Sequence, residues 1–141
     1  MGRCVKKPKS IPDSNHVLRY CKPRTVKEGK IAESAFEFRP GEEFLSVNWM
    51  EYFGADITAD AQVEKVRKDM SKSLKLSANG RFAKLHVGGV KKCVENAEVK
   101  HLPSRQNPSH AGIYAHGADR LTVILGLAHL VEPGGVFAGK I

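Results

Sequence analysis

Three cysteines occur in the chain, Cys4, Cys21 and Cys93, and no two stand at a CxxC spacing. An odd number at unrelated intervals gives no disulfide framework, and a zinc site normally needs a close ligand pair to anchor it. The expectation is reduced thiols, no bound metal and no cofactor. Long apolar runs are also missing. The longest, residues 121–131, contains His129 and falls well short of the roughly 20 residues that cross a bilayer. Residues 1–14 have no apolar centre of the kind a secretory signal needs. Met1-Gly2 is followed by Lys6 rather than a hydroxyl residue, which does not fit an acylation start. No membrane partner is expected, and the setting is read as cytoplasmic. Neither a repeat nor a low-complexity segment is present.

The motifs of several enzyme classes are absent too. There is no GxxxxGK[ST], no GxGxxG after a strand, no GxSxG and no HExxH. The acids Glu42 and Glu43 are adjacent, so on a strand they point to opposite faces and do not suggest a metal-dependent nuclease.

What is abundant is positive charge, and it is concentrated at one end. Residues 1–30 carry nine lysines and arginines against Asp13 and Glu28, whereas residues 31–141 carry fourteen against thirteen acids. A local cationic segment suits an anionic partner: RNA ahead of DNA, a nucleotide, or an acidic protein. Lys6, Lys7 and Lys9 lie among prolines without periodicity. Residues 1–15 are therefore read as a basic, flexible arm that contacts nucleic acid or is simply solvated, and residues 16–141 as one globular domain.

Periodicity predicts the elements of that domain. Residues 16–21 alternate as a strand ended by Pro23. Residues 35–39 alternate with Phe36 and Phe38 inward, Pro40-Gly41 turns, and residues 44–49 alternate again, which predicts a hairpin. Val63, Val66 and Met70 recur at helical spacing in an amphipathic helix over about 59–73, capped by Thr58 or Asp60. Strands follow at 81–87, 98–102 and 110–116, with one or two helical turns at 90–96. Leu121, Val123, Ile124, Leu125, Leu127, Leu130 and Val131 cover nearly the whole circumference of a C-terminal helix over about 119–131, so it is expected to be buried. This mixture predicts a single α+β domain with a mixed or mostly antiparallel sheet of about six strands.

Three groups of residues suggest chemistry. His110, at a loop-to-strand junction beside Gly112 and Tyr114, has room for a ligand. His116 shares its strand face but stands about 20 Å away along an extended chain, too far to form an acid/base pair with it. His16, Arg19, Tyr20, Lys22 and Arg24 combine an imidazole that titrates near neutrality, guanidinium forks for phosphate and a ring for a base. Ser46, Asn48 and Trp49 end a strand, where Asn48 orients a substrate group and Trp49 walls a pocket. Each group also has a plain reading: a core or turn residue, or a solvated strand face. The Val87-Gly88-Gly89 turn offers backbone amides to a phosphate, or is only a turn.

Together these predict a protein directed at RNA or nucleotides. In its enzymatic form it cleaves or transfers a phosphate ester without metal, in the manner of a ribonuclease. His110 or His16 exchanges protons, Arg19 and Arg24 stabilise charge, and Tyr20, Lys22, Ser46, Asn48, Trp49 and Tyr114 bind substrate. The alternative is a non-catalytic module that grips nucleic acid or an acidic protein through the basic segment.

Overall fold

The structure, a computed structural model, describes residues 8–140. Lys6, Lys7 and Cys4 lie outside the described residues. The elements in order are β1 (His16–Cys21), β2 (Val26–Lys27), β3 (Lys30–Ile31), β4 (Phe44–Trp49), α1 (Ala59–Met70), β5 (Arg81–His86), α2 (Val87–Cys93), β6 (Ala97–His101), β7 (His110–Ala115), α3 (Arg120–Leu130) and β8 (Val136–Ala138). Six of the strands form one sheet in the order β6-β7-β4-β1-β5-β8, and every pairing is antiparallel. The chain is a single-domain α+β protein.

Both faces of the sheet carry apolar side chains, because β1 is buried on both. Val17 and Cys21 join Leu45, Val47, Leu85, Val99 and Ile113 in a core closed by α2, α3 and the 3₁₀ turn Glu33–Phe36. Leu18 and Tyr20 point the other way and pack with Phe82, Met50, Val63 and Val66 under α1. Full burial of a Leu or Phe contributes about 1.5–3 kcal/mol, so both layers matter to stability. The Thr58 hydroxyl accepts from the Ala61 amide and caps α1. The second core takes nothing from β4, β7 or β6. There the same face presents Ser46, Asn48, His110 and Gly112, with Phe44 and Tyr114 at its far end.

The segment 35–39 is not a strand, and the expected hairpin is absent. Ala35 and Phe36 are both buried in one core, which adjacent residues on a strand cannot do because they point to opposite faces. The 3₁₀ turn Glu33–Phe36 satisfies both, and Phe38 receives the Arg120 guanidinium over its ring at 4.1 Å. The strand missing from the expected set is replaced by β8, which pairs with β5. Within the segment read as an arm, residues 9–11 run beside β6. Ile11 is 1% exposed, its amide donates to the Val99 carbonyl, and the Lys9 carbonyl accepts from the His101 amide.

α3 is apolar all round, as expected, but it is not fully buried. Val123 and Leu127 are enclosed, while Leu121 is 62% and Leu125 44% exposed. Its inner side approaches α2 closely: a Cβ on Gly126 would stand 2.6 Å from the Cys93 sulfur. The helix thus packs along one side, and nothing in the described chain covers the other.

Candidate functional site

β1 and β4 are hydrogen-bonded neighbours only at Val17–Trp49 and Leu18–Asn48, and past these pairs the strands part. Arg19 fills the split. Its Nε donates to the Ala35 carbonyl at 2.9 Å and its Nη1 to the Ser46 carbonyl at 2.8 Å. A side chain thereby replaces the missing ladder bonds, as buried carbonyls require. Burial holds the Arg19 pKa below the usual guanidinium value, yet arginine remains a cation in proteins.

Where the strands part, the sheet opens into a cavity of about 470 Å³. Its floor includes Leu18, Ser46, Asn48 and His110; its wall includes Tyr20, the end of α1 at Met70, and Leu74 in the turn that follows. Four cations line it, Arg19, Lys22, Arg24 and Arg39, against the carboxylates Glu37 and Glu42. Lys22 and Arg24 are exposed at the turn that Pro23 imposes after β1.

On the floor, His110 is held at both ring nitrogens. Nδ1 lies 2.9 Å from the Leu102 carbonyl, and Nε2 lies 2.9 Å from the Ser46 hydroxyl. A carbonyl only accepts, so Nδ1 carries the proton and Nε2 presents its lone pair to the Ser46 O–H. A hydroxyl bonded to an imidazole whose other nitrogen is held by a third group is the arrangement that activates a nucleophile. β7 places His110 opposite Asn48, and Gly112 opposite Ser46. Asn48 is 2% exposed; its amide nitrogen donates to Asn107 Oδ1 at 2.6 Å and to Ser109 Oγ at 2.8 Å. Asn48 thus pins the 103–109 loop, and Asn107 reaches the cavity wall.

The predicted site residues divide between this cavity and the rest of the molecule. Arg19, Tyr20, Lys22, Arg24, Ser46, Asn48 and His110 all line it. Tyr20 is wall rather than platform: it is 9% exposed, packed on Phe82 at 5.3 Å, and its hydroxyl accepts from the Ser77 amide. The space expected beside Gly112 is filled, since a Cβ there would meet Phe44 at 2.7 Å and Leu102 at 2.9 Å.

His16, Trp49 and Tyr114 lie elsewhere. His16 is at the far end of β1, where its amide donates to Glu51 Oε1 and its Nδ1 to Glu51 Oε2, with His86 edge-on at 5.2 Å. Trp49 faces the other side of the sheet, donating to Asn15 and packing against His101. Tyr114 stacks on His116 with Lys100 over its ring. Lys9 is exposed beside β6, away from the cavity lining.

Neither the glycine turn nor the buried thiol adds a site. The amides of Val87, Gly88 and Gly89 are taken by the Asn15 carbonyl, the Asp13 carbonyl and His86 Nδ1, which leaves none for a phosphate. Burial pushes the Cys21 thiol up to about 12, with Arg19 pulling the other way, so it is neutral at physiological pH and not a nucleophile. Among the described residues no three His, Cys, Asp or Glu side chains gather to hold a metal ion.

Arg39, Asn107 and the Leu102 carbonyl were not foreseen. Arg39 and Asn107 stand in turn sequences, Arg39-Pro40-Gly41 and Asn107-Pro108, whose only signal is that loops carry binding residues. The Leu102 contribution is a backbone atom and has no side-chain signature. No protein family, no curated protein and no solved structure matches the chain.

Proposed function

We propose that the cavity receives a phosphorylated ligand and that Ser46 and His110 transfer its phosphoryl group without a metal. The observation that carries this reading is the chain from the Leu102 carbonyl through His110 to Ser46, on the floor of a cavity lined by four cations. Lys22, Arg24 and Arg39 receive the phosphate charge from solvent, and Arg19 fixes a positive charge in the floor.

In this reading Ser46 Oγ attacks phosphorus while its proton passes to His110 Nε2. The phosphorus–oxygen ester bond breaks, its electron pair leaves with the ester oxygen, and that oxygen takes the proton back from His110. Water then attacks the phosphoserine, giving its proton to the same nitrogen. Serine leaves as the alkoxide, takes that proton and is restored, and phosphate is released. One histidine suffices because the proton it accepts is the proton it returns.

The test is calorimetric binding of inorganic phosphate and uridine monophosphate, with turnover of an aryl phosphate and of the monophosphate. Arg24→Glu is expected to weaken binding. His110→Ala and Ser46→Ala are expected to lose about 10²–10⁴-fold in turnover while still binding. Wild-type protein that binds no phosphorylated ligand overturns the reading.

One observation favours a module that binds without turning over. The group orienting His110 is a carbonyl rather than a carboxylate, and a carbonyl does less to stabilise an imidazolium. Binding that needs Arg24, with no turnover above background, selects that version.

A further inference from the structure

A second cavity of about 460 Å³ adjoins the first, and Leu74 lines both. It lies between the end of α1 and the chain after β8. Arg67, Lys68, Lys75 and Lys140 line it, with Glu64 as the one carboxylate. Arg67 is committed: it donates twice to the Ala138 carbonyl and once to Glu64. Lys68 and Lys75 have no carboxylate partner among the described residues, and Lys140 is exposed. The two cavities together are lined by eight cations and three carboxylates, and Leu74 is the residue they share. Leu74 is 38% exposed within a stretch of serines and lysines.

Two adjoining cationic hollows with an apolar step between them ask for a ligand with charge at both ends and an apolar surface in the middle. A mononucleotide fills one hollow and leaves the lysines of the other unused. We infer that the ligand is a single-stranded polynucleotide, which enters the first cavity, crosses Leu74 with a base against that side chain, and lays its next phosphates along Lys68, Lys75 and Lys140. A strand with unstacked bases follows such a concave, stepped path, whereas a duplex is held straight by its paired bases. This rests on the phosphate-binding reading of the first cavity and extends it to a strand. RNA and DNA share the phosphodiester groups that these lysines would contact.

The experiment measures binding of labelled oligouridylate and oligothymidylate of about 12 nucleotides by anisotropy, beside calorimetry with uridine monophosphate and inorganic phosphate. The triple variant Lys68→Gln, Lys75→Gln, Lys140→Gln is expected to lose at least about tenfold in oligomer affinity. Its plot of log affinity against log salt should be shallower by about 2, from about 0.7 per lost phosphate contact. Its binding of the two small ligands is expected to match wild type. These substitutions are at the surface, and an unchanged melting temperature confirms folding. Arg24→Glu should weaken every ligand. If the monophosphate binds wild type but the oligomers bind no tighter, or if the triple variant leaves oligomer affinity unchanged, the strand path is wrong while the first cavity stands. If neither the small ligands nor the oligomers bind wild type, both readings fall together. Equal displacement of the oligomer by polyglutamate also overturns the strand path, because it reduces the contact to charge alone.

Discussion

His110 and His16 occupy the same face of the same sheet, and each is bonded through Nδ1 to an acceptor, yet their surroundings differ. His16 is bound by a carboxylate, with Glu51 taking both its amide and its ring proton, and another imidazole packs against its edge. His110 is bound by a carbonyl, its free nitrogen meets a hydroxyl, and a cavity of about 470 Å³ opens above it. His16 therefore has the better electrostatic partner and His110 has the room. A carboxylate next to an imidazole is by itself as good a structural clamp as a catalytic device. Chemistry needs a nucleophile or substrate within reach of the second nitrogen.

The strongest way to break this comparison is to exchange the roles of the two histidines. His16→Ala is expected to leave turnover and phosphate affinity within about 2–3-fold of wild type, against the loss of about 10²-fold or more expected for His110→Ala. Steady-state kinetics on the aryl phosphate measures both. Turnover that disappears with His16 and survives without His110 would move the proposed reactive site to the far end of β1.

A smaller effect separates the two on stability. The Glu51 side chain is only 13% exposed, and removing it strands the His16 amide and ring proton. Glu51→Ala is expected to cost about 1–3 kcal/mol, the range for leaving buried donors unpaired. Ser46→Ala, which removes one hydroxyl beside open cavity space, should cost no more than about 1 kcal/mol. Urea unfolding reads the difference as a shift in midpoint at constant slope. Equal costs would mean that His110 is clamped as structurally as His16, and the distinction between anchor and reactive group would be lost.

How much of this was legible in the sequence follows from the same contrast. The clear periods at 44–49 and 59–70 specify β4 and α1, because apolar residues repeat on one face there, while 16–21 and 110–115 read as β1 and β7 from strand-length runs bounded by turn residues. Periodicity misread residues 35–39, where Phe36 and Phe38 alternate but the adjacent pair Ala35 and Phe36 is what the core takes. It was silent about Ile11, a single apolar residue between Ser10 and Pro12 whose burial is set by a strand some 88 positions away, at Val99. For the site, residue types were legible and distances were not. Nothing in the spacing of Arg19, Ser46 and His110 announces that β1 and β4 part after Leu18, and that parting makes the cavity. The same limit placed His16 with His110, since both are histidines near the end of a strand.

A second histidine–carboxylate pair tests how far burial makes the difference. His116 Nε2 and Lys100 Nζ both reach Glu98 Oε2, at 2.9 and 3.1 Å, on the open part of the sheet. The hydrogen bond from His116, followed by that from Lys100, holds the Glu98 carboxyl below the usual carboxylate range. A carboxyl depressed in the folded state contributes stability at pH above its unfolded pKa, about 4.3 for glutamate, and loses it as pH falls through the lower folded value. The acid limb of the stability profile should therefore be slightly flatter in Glu98→Gln than in wild type below about pH 4.3. Because the pair is exposed, added salt should erase the difference. Thermal melts across that range, at low and high salt, measure it. A Glu98→Gln effect as large as that of Glu51→Ala would show that the carboxylate, and not its burial, makes a histidine an anchor in this fold, and His16 would then owe its fixed position to Glu51 alone.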